Sequence, residues 1–307
     1  MFPQHFTQTI LELYGSNGAA WLESLPERIA ACERRWSLTA LPPFDLSYNY
    51  VAPAVGKDGA ALVLKLGVPN PELLTEMAAL KIYDGRGCAR LFECDPEQGI
   101  LLMERVLPGR PLAELADDKQ ITQVIAQTMQ KLWRPLPAEH PFHPLERWTG
   151  GLKRLRETFV GGTGPFPNHL VECAEGLFAD LLASSPEPVL LHGDLHQWNI
   201  LSAQVGAELC VPPYKALDPK GLAGDPLFDT GVFFYNPPPD LFSLQHPESV
   251  YERRTRQTAE VLGADPQRIL AWGFAECVLS AWWSYEDHGH GWEETLALAE
   301  IVLKVKL

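Results

Sequence analysis

With 307 residues, the chain is long enough for one large or two coupled globular lobes whose apolar cores need no covalent staples. A net charge of -14 and a pI near 5.1 argue against nucleic acid as a partner and suit a cationic small ligand. Cys32, Cys88, Cys94, Cys173, Cys210 and Cys277 form no zinc-type cluster, and neither a leader segment nor a membrane-length apolar run is present, so reduced thiols in a cytoplasmic, non-membrane protein are expected.

Trp21, Leu22, Leu25, Ile29, Cys32 and Trp36 recur at helical spacing and predict an amphipathic helix over 17–36, stopped by Pro42-Pro43. Apolar runs at 48–55 and 60–66 flank Gly56-Lys57-Asp58-Gly59, a hairpin signal. Asn70 before Pro71 starts a helix running toward Gly85, and strands follow at 89–94 and 100–106. Beyond Pro108-Gly109 the pattern turns helical, at 121–132, 169–183, 266–284 and 292–305, with short strands at 189–191, 200–202 and 214–217. The expectation is an α+β fold of two lobes: a small antiparallel sheet with one main helix over 1–105, and a larger, mostly helical lobe over 106–307. The natural hinge lies at 104–109.

The chemistry concentrates between two of those strands, in His192-Gly193-Asp194-Leu195-His196-Gln197-Trp198-Asn199. A polar loop clamped by apolar strands is a rigid mount. Phosphoryl transfer asks little covalent work of a protein; it needs a carboxylate to orient or deprotonate a hydroxyl, and oxygen ligands for magnesium on the phosphates. Asp194 and Asn199 stand five positions apart, as in a kinase catalytic loop, and Asp218 adds a carboxylate at the end of the 214–217 strand.

That loop, followed by Asp218-Pro219-Lys220-Gly221-Leu222-Ala223-Gly224-Asp225-Pro226, resembles the aminoglycoside phosphotransferase family over nearly the whole chain, and within it the streptomycin 6-kinase and hydroxyurea phosphotransferase branch. The resemblance implies a protein-kinase-like fold, ATP or GTP as donor, and Mg2+. Asp194 would be the catalytic carboxylate, Asn199 and Asp218 the metal ligands, and His192 a support of the loop. Lys65, in Ala61-Leu62-Val63-Leu64-Lys65, would meet the donor phosphates and pair with Glu76, with Glu72 in reserve. Met103 and Glu104 match the hinge that meets adenine. No GxGxxG precedes Val55, so the 44–49 segment, with Ser47, would cover the phosphates instead.

For the acceptor, Asp225, Trp283, Glu286 and Asp287 are the candidates, with Asp229 beside the first of them, because guanidinium groups pair with carboxylates and stack on rings. The competing reading packs the Trp pair between helices, leaves the acids as solvated loop residues and gives Asp225 a structural role in stabilising the loop after Asp218. Streptomycin is the expected acceptor; an amino alcohol or sugar, or a silent nucleotide-binding module of the same fold, are the alternatives. The sequence leaves monomer or homodimer open.

Overall fold

The computed structural model describes residues 2–204 and 214–307, so Cys210 lies outside the described residues. Its first helix, α1 (Gln4–Trp36), starts well before the expected residue 17 and breaks at Gly15, where φ is 53° and ψ is -127°. The break folds the 4–14 segment back onto the rest of the helix, with Phe6 edge-on against Trp21 at 6.3 Å between ring centroids. A Cβ at Gly18 would stand 2.5 Å from the Ile10 carbonyl oxygen, an approach that only glycine permits. Phe6, Ile10, Trp21, Leu25 and Cys32 of this helix share one apolar cluster with Tyr50, Leu64 and Ile100 of the sheet.

That sheet is antiparallel and comprises β1 (Leu38–Ala40), β2 (Tyr50–Gly56), β3 (Ala61–Leu66), β4 (Leu91–Asp95) and β5 (Ile100–Glu104), in the order β1-β2-β3-β5-β4. Only the short edge strand β1 was not anticipated. Because β3 is central, Lys65 faces Val51 on one neighbour and Leu101 on the other, which excludes a solvent-facing edge position. Between β3 and β4 runs α2 (Pro71–Tyr83), started by Asn70, whose Oδ1 accepts from the Leu73 N–H at 3.0 Å.

In the second lobe β6 (Pro108–Pro111) pairs with β10 (Ile200–Ala203), which pairs in turn with β11 (Tyr214–Ala216). A second small sheet orders β7 (Arg134–Pro135), β9 (Val189–Leu191), β12 (Leu222–Gly224) and β8 (His143–Pro144). These strands fix both ends of the 192–199 loop and of the segment after Asp218. Around them stand α3 (Asp118–Leu132), α4 (Leu145–Thr149), α5 (Gly151–Thr158), α6 (Asn168–Ala183), α7 (Phe228–Val232), α8 (Glu248–Leu262), α9 (Pro266–His288) and α10 (Trp292–Val302). The apolar α9 runs through the core and buries Trp272, Cys277, Val278 and Trp282. The architecture is the expected α+β bilobal one.

The sequence reading named no helix over α8, and the reason is a buried charge. Arg254 is 1% exposed at a position where an amphipathic pattern wants an apolar residue. Its guanidinium donates to Asp118 Oδ2 at 3.0 Å, to Asp118 Oδ1 at 2.6 Å and to the carbonyls of Phe233 and Asn236. Removing the carboxylate alone strands a buried cation, so Asp118→Ala is expected to cost about 3–5 kcal/mol. A urea denaturation midpoint lowered by that free energy divided by the m-value checks it; an unshifted midpoint contradicts it.

Candidate active site

From the middle of the sheet, β3 directs Lys65 onto α2, where Nζ donates to the Glu76 oxygens at 2.7 and 2.8 Å and to Asp218 Oδ1 at 3.2 Å. Lys65 and Glu76 are 4% and 7% exposed, so these charges act on each other with little solvent screening. Burial would lower the Lys65 pKa, but the Asp218 and Glu76 carboxylates outweigh it and hold the ammonium above its ordinary range. Lys65 in turn draws the Asp218 carboxyl below the usual carboxylate range. Glu72, one turn earlier on α2, reaches a different cation, Lys220, at 3.2 Å.

Asp218 follows β11 with φ at 54°, a left-handed conformation costly for a side chain with a Cβ and found where backbone strain serves a site. Facing it is the loop between β9 and β10. His192 is fully buried there, its Nε2 against the Leu217 carbonyl at 2.9 Å and its Nδ1 accepting from the Asp194 N–H at 3.2 Å. Burial pushes this imidazole down to about 3, so it stays neutral and serves as donor on one side and acceptor on the other. The Asn199 amide nitrogen donates to the Asp194 carbonyl at 3.0 Å, and Oδ1 has no partner among the described residues.

Asp229 completes the mount. Sequence reasoning placed it beside Asp225 as a possible acceptor contact; in the structure it is fully buried and accepts from the backbone N–H groups of His192 at 3.1 Å and Gly193 at 2.7 Å. Trp133 Nε1 donates to it at 3.3 Å. Nothing in the sequence distinguishes this Asp, because its partners are main-chain groups of a loop 36 residues away.

Two contiguous cavities surround these groups, with Val51 and Asp218 lining both. The first, about 320 Å³, is walled by Val63, Met103, Leu201 and Leu217 and passes the backbone of Glu104 to Gly109. The Glu104 carboxylate itself is engaged, by Lys215 Nζ at 2.7 and 2.5 Å and by the Arg90 N–H at 3.0 Å. The second, a cleft of about 910 Å³, brings together Ser47, Lys65, Glu76, Asp194, Asn199 and Asp218. Among the described residues no three His, Cys, Asp or Glu side chains converge as a self-contained metal cage. Asn199 and Asp218 offer a sparse set of hard oxygens. That fits magnesium, which keeps water and takes further ligands from substrate phosphates.

Of the four acceptor candidates, only Asp287 reaches the cleft. Asp225 is 1% exposed and is held by Arg268, by Trp272 Nε1 at 3.3 Å and by the Leu227 N–H at 2.9 Å, so its carboxylate has no room for a ligand. Glu286 receives the Arg154 guanidinium in a bidentate pair with both bonds at 2.7 Å. Trp283 packs edge-on against Trp148 with ring centroids 5.5 Å apart, and it is Trp148 that lines the cleft. Sequence reasoning missed Trp148, which lies in a short helix far from the quoted motifs.

A family model described as aminoglycoside/hydroxyurea antibiotic resistance kinase matches residues 39–288. The chain belongs to this family. It is 29% identical over 287 residues to streptomycin 6-kinase of Streptomyces glaucescens, covering 93% of this chain and 91% of that one. Hydroxyurea phosphotransferase of Kitasatospora aureofaciens is 32% identical over 317 residues, with 98% and 85% covered. In fold it is similar to a choline/ethanolamine kinase family protein of Mesorhizobium loti, with a TM-score of 0.63, 12% identity, and 92% and 95% of the two chains covered. As a member of this kinase family the chain is a phosphotransferase with an alcohol group as acceptor. No helix among the described residues is long and apolar enough to cross a membrane.

In this kinase the loop anchor is held above the usual carboxyl range. Burial raises the Asp229 carboxyl from its usual 3.8 to about 6, against the pull of the Gly193 and His192 N–H groups. A raised folded-state value means that the proton on Asp229 stabilises the fold below pH 3.8, and that this stabilisation is lost as pH rises through about 6. The melting temperature of the wild type relative to Asp229→Asn is therefore expected to fall across that interval and flatten above it. A pH-independent difference contradicts the assignment.

Proposed function

We propose that this chain transfers the γ-phosphoryl group of a magnesium-bound nucleoside triphosphate, ATP or GTP, to a hydroxyl of an aminoglycoside-type acceptor, with streptomycin the first choice. The convergence of Lys65, Asp218, Asn199 and Asp194 on one cleft that runs into the apolar cavity beside Met103 carries the reading. In it the nucleobase occupies that cavity against Met103 and the backbone at Glu104. Lys65, oriented by Glu76, neutralises the donor phosphates, and Ser47 on the covering loop adds a hydroxyl donor. Asn199 and Asp218 hold magnesium, which when bound supplies charge neutralisation along the triphosphate.

Asp194 accepts the hydroxyl proton as the acceptor oxygen attacks, and the neutral His192 keeps its backbone in place. The division at residue 105 is proposed as the boundary between a donor lobe over 1–105 and an acceptor lobe over 106–307, because the sheet ends at Glu104. The five described cysteines are free, which suits a reducing cytoplasm.

On the acceptor side Asp287 offers a carboxylate and Trp148 an aromatic face, the two features a guanidinium-bearing antibiotic uses. A smaller hydroxyl-bearing metabolite is the second reading, favoured by Arg147. Its Nη1 stands 3.1 and 3.2 Å from the His143 ring nitrogens and gives one wall a positive charge that a polycation would meet unfavourably.

ADP release from magnesium-ATP, measured against streptomycin, other aminoglycosides, hydroxyurea, choline, homoserine and simple sugars, separates these readings. Stimulation by streptomycin that drops roughly a thousandfold or more in Asp194→Asn is expected. Stimulation by another panel member in place of streptomycin keeps the kinase and moves the acceptor assignment to that compound. ATP binding without stimulation by any acceptor leaves a silent module, and an Asp194→Asn variant of unchanged rate removes Asp194 from the chemistry.

A further inference from the structure

The donor triphosphate needs more positive charge than the assigned residues deliver. The 44–49 segment lacks the glycines with which a backbone cradle of N–H groups wraps phosphates, and Lys65 already faces two carboxylates. A second lysine stands in the same cleft. Lys220 lines it together with Asp194, Asn199 and Asp218.

The two Lys-Glu pairs of α2 differ in the way that matters. Lys65 and Glu76 have side chains 5% and 9% exposed and are locked by burial. Lys220 and Glu72 have side chains 36% and 60% exposed at an Nζ to Oε2 distance of 3.2 Å, so water screens the pair and holds it weakly. The base of Lys220 is nevertheless fixed. Its N–H donates to the His192 carbonyl at 2.7 Å, and its carbonyl accepts from Thr75 Oγ1 at 2.6 Å. The result is a rigidly mounted backbone that carries a cation free to change partners.

We propose that Lys220 is a second catalytic cation: when the donor binds, its ammonium leaves Glu72 and donates to the oxygens of the transferring γ-phosphoryl group. The inference rests on the kinase reading above. In the transfer, the bond from the γ-phosphorus to its bridging oxygen breaks and the acceptor oxygen bonds to that phosphorus. The bridging oxygen leaves with its electron pair on the nucleoside diphosphate, and the hydroxyl proton passes to Asp194. Through the step Lys220 stays protonated and follows the charge of the group in flight. A compact ammonium with three donors suits that task, because it needs no fixed fork geometry.

Calorimetric binding of magnesium-ATP and magnesium-ADP to the wild type, Lys220→Met, Lys220→Arg and Glu72→Gln tests this without any acceptor. Lys220→Met is expected to lose roughly tenfold in its preference for ATP over ADP relative to the wild type, since only ATP carries the contacted group. Lys220→Arg and Glu72→Gln are expected to keep that preference. With an acceptor present, kcat of Lys220→Met falls roughly a hundredfold, with little change in the KM of the acceptor. If Lys220→Met does not fold by thermal melting, Lys220→Gln takes its place.

An unchanged ATP-to-ADP ratio, or equal weakening of both nucleotides, overturns the proposal and makes Lys220 a bolt between α2 and the loop after Asp218. Failure of the wild type to bind either adenine nucleotide, or magnesium-GTP and magnesium-GDP run beside them, overturns the donor reading itself, and the two failures are thereby told apart.

Discussion

One ammonium holds the two halves of the site together. Lys65 stands in the central strand of the first sheet, and its partners come from opposite sides: Glu76 from α2, Asp218 from the loop after β11 in the second lobe. Because Lys65 and Glu76 are buried, removing the lysine leaves the Glu76 charge uncompensated where solvent cannot relieve it. The junction therefore specifies where α2 sits on the sheet and where Asp218 sits relative to both. Thr75, next to Glu76 on α2, bonds the Lys220 carbonyl and fixes the loop after Asp218 a second time.

The 192–199 loop is held by a complementary device. Its mount is made of main-chain groups: two backbone N–H groups fixed by Asp229, one fixed by His192, and the Asp194 carbonyl held by Asn199. Satisfying these donors internally leaves the Asp194 carboxylate only two light contacts, with the Asn199 amide at 3.5 Å and with His196 Nε2 at 3.6 Å. A group freed in this way can face a substrate. The strands β9 and β10 then turn the loop into a fixed shelf lining the cleft.

Much of this was legible in the sequence, because kinase chemistry leaves local marks. The spacing of Asp194 and Asn199, the strands on either side, and Asn70-Pro71 opening α2 are each set within a few residues of chain. The features that escaped depend on distant partners. The 4–14 segment of α1 mixes Gln, Thr and His into its apolar face and turns at Gly15, so its periodicity fades before residue 17. In α8 a buried Arg254 stands where the pattern wants Leu, and only Asp118, 136 positions away, explains it. Asp225 and Glu286 looked available as isolated acids; Arg268 and Arg154, brought by the fold from elsewhere, take them both. Trp148 became part of the cleft wall through the packing of Trp283 behind it.

The destination of the phosphoryl group is read directly by phosphorus NMR of a mixture of the protein, magnesium-ATP and streptomycin. A new phosphomonoester resonance growing in step with ADP is expected, with mass spectrometry locating it on the antibiotic. ADP accompanied only by inorganic phosphate would contradict the account, since it would mean that the cleft delivers the γ-phosphoryl group to water and not to a hydroxyl held at Asp194.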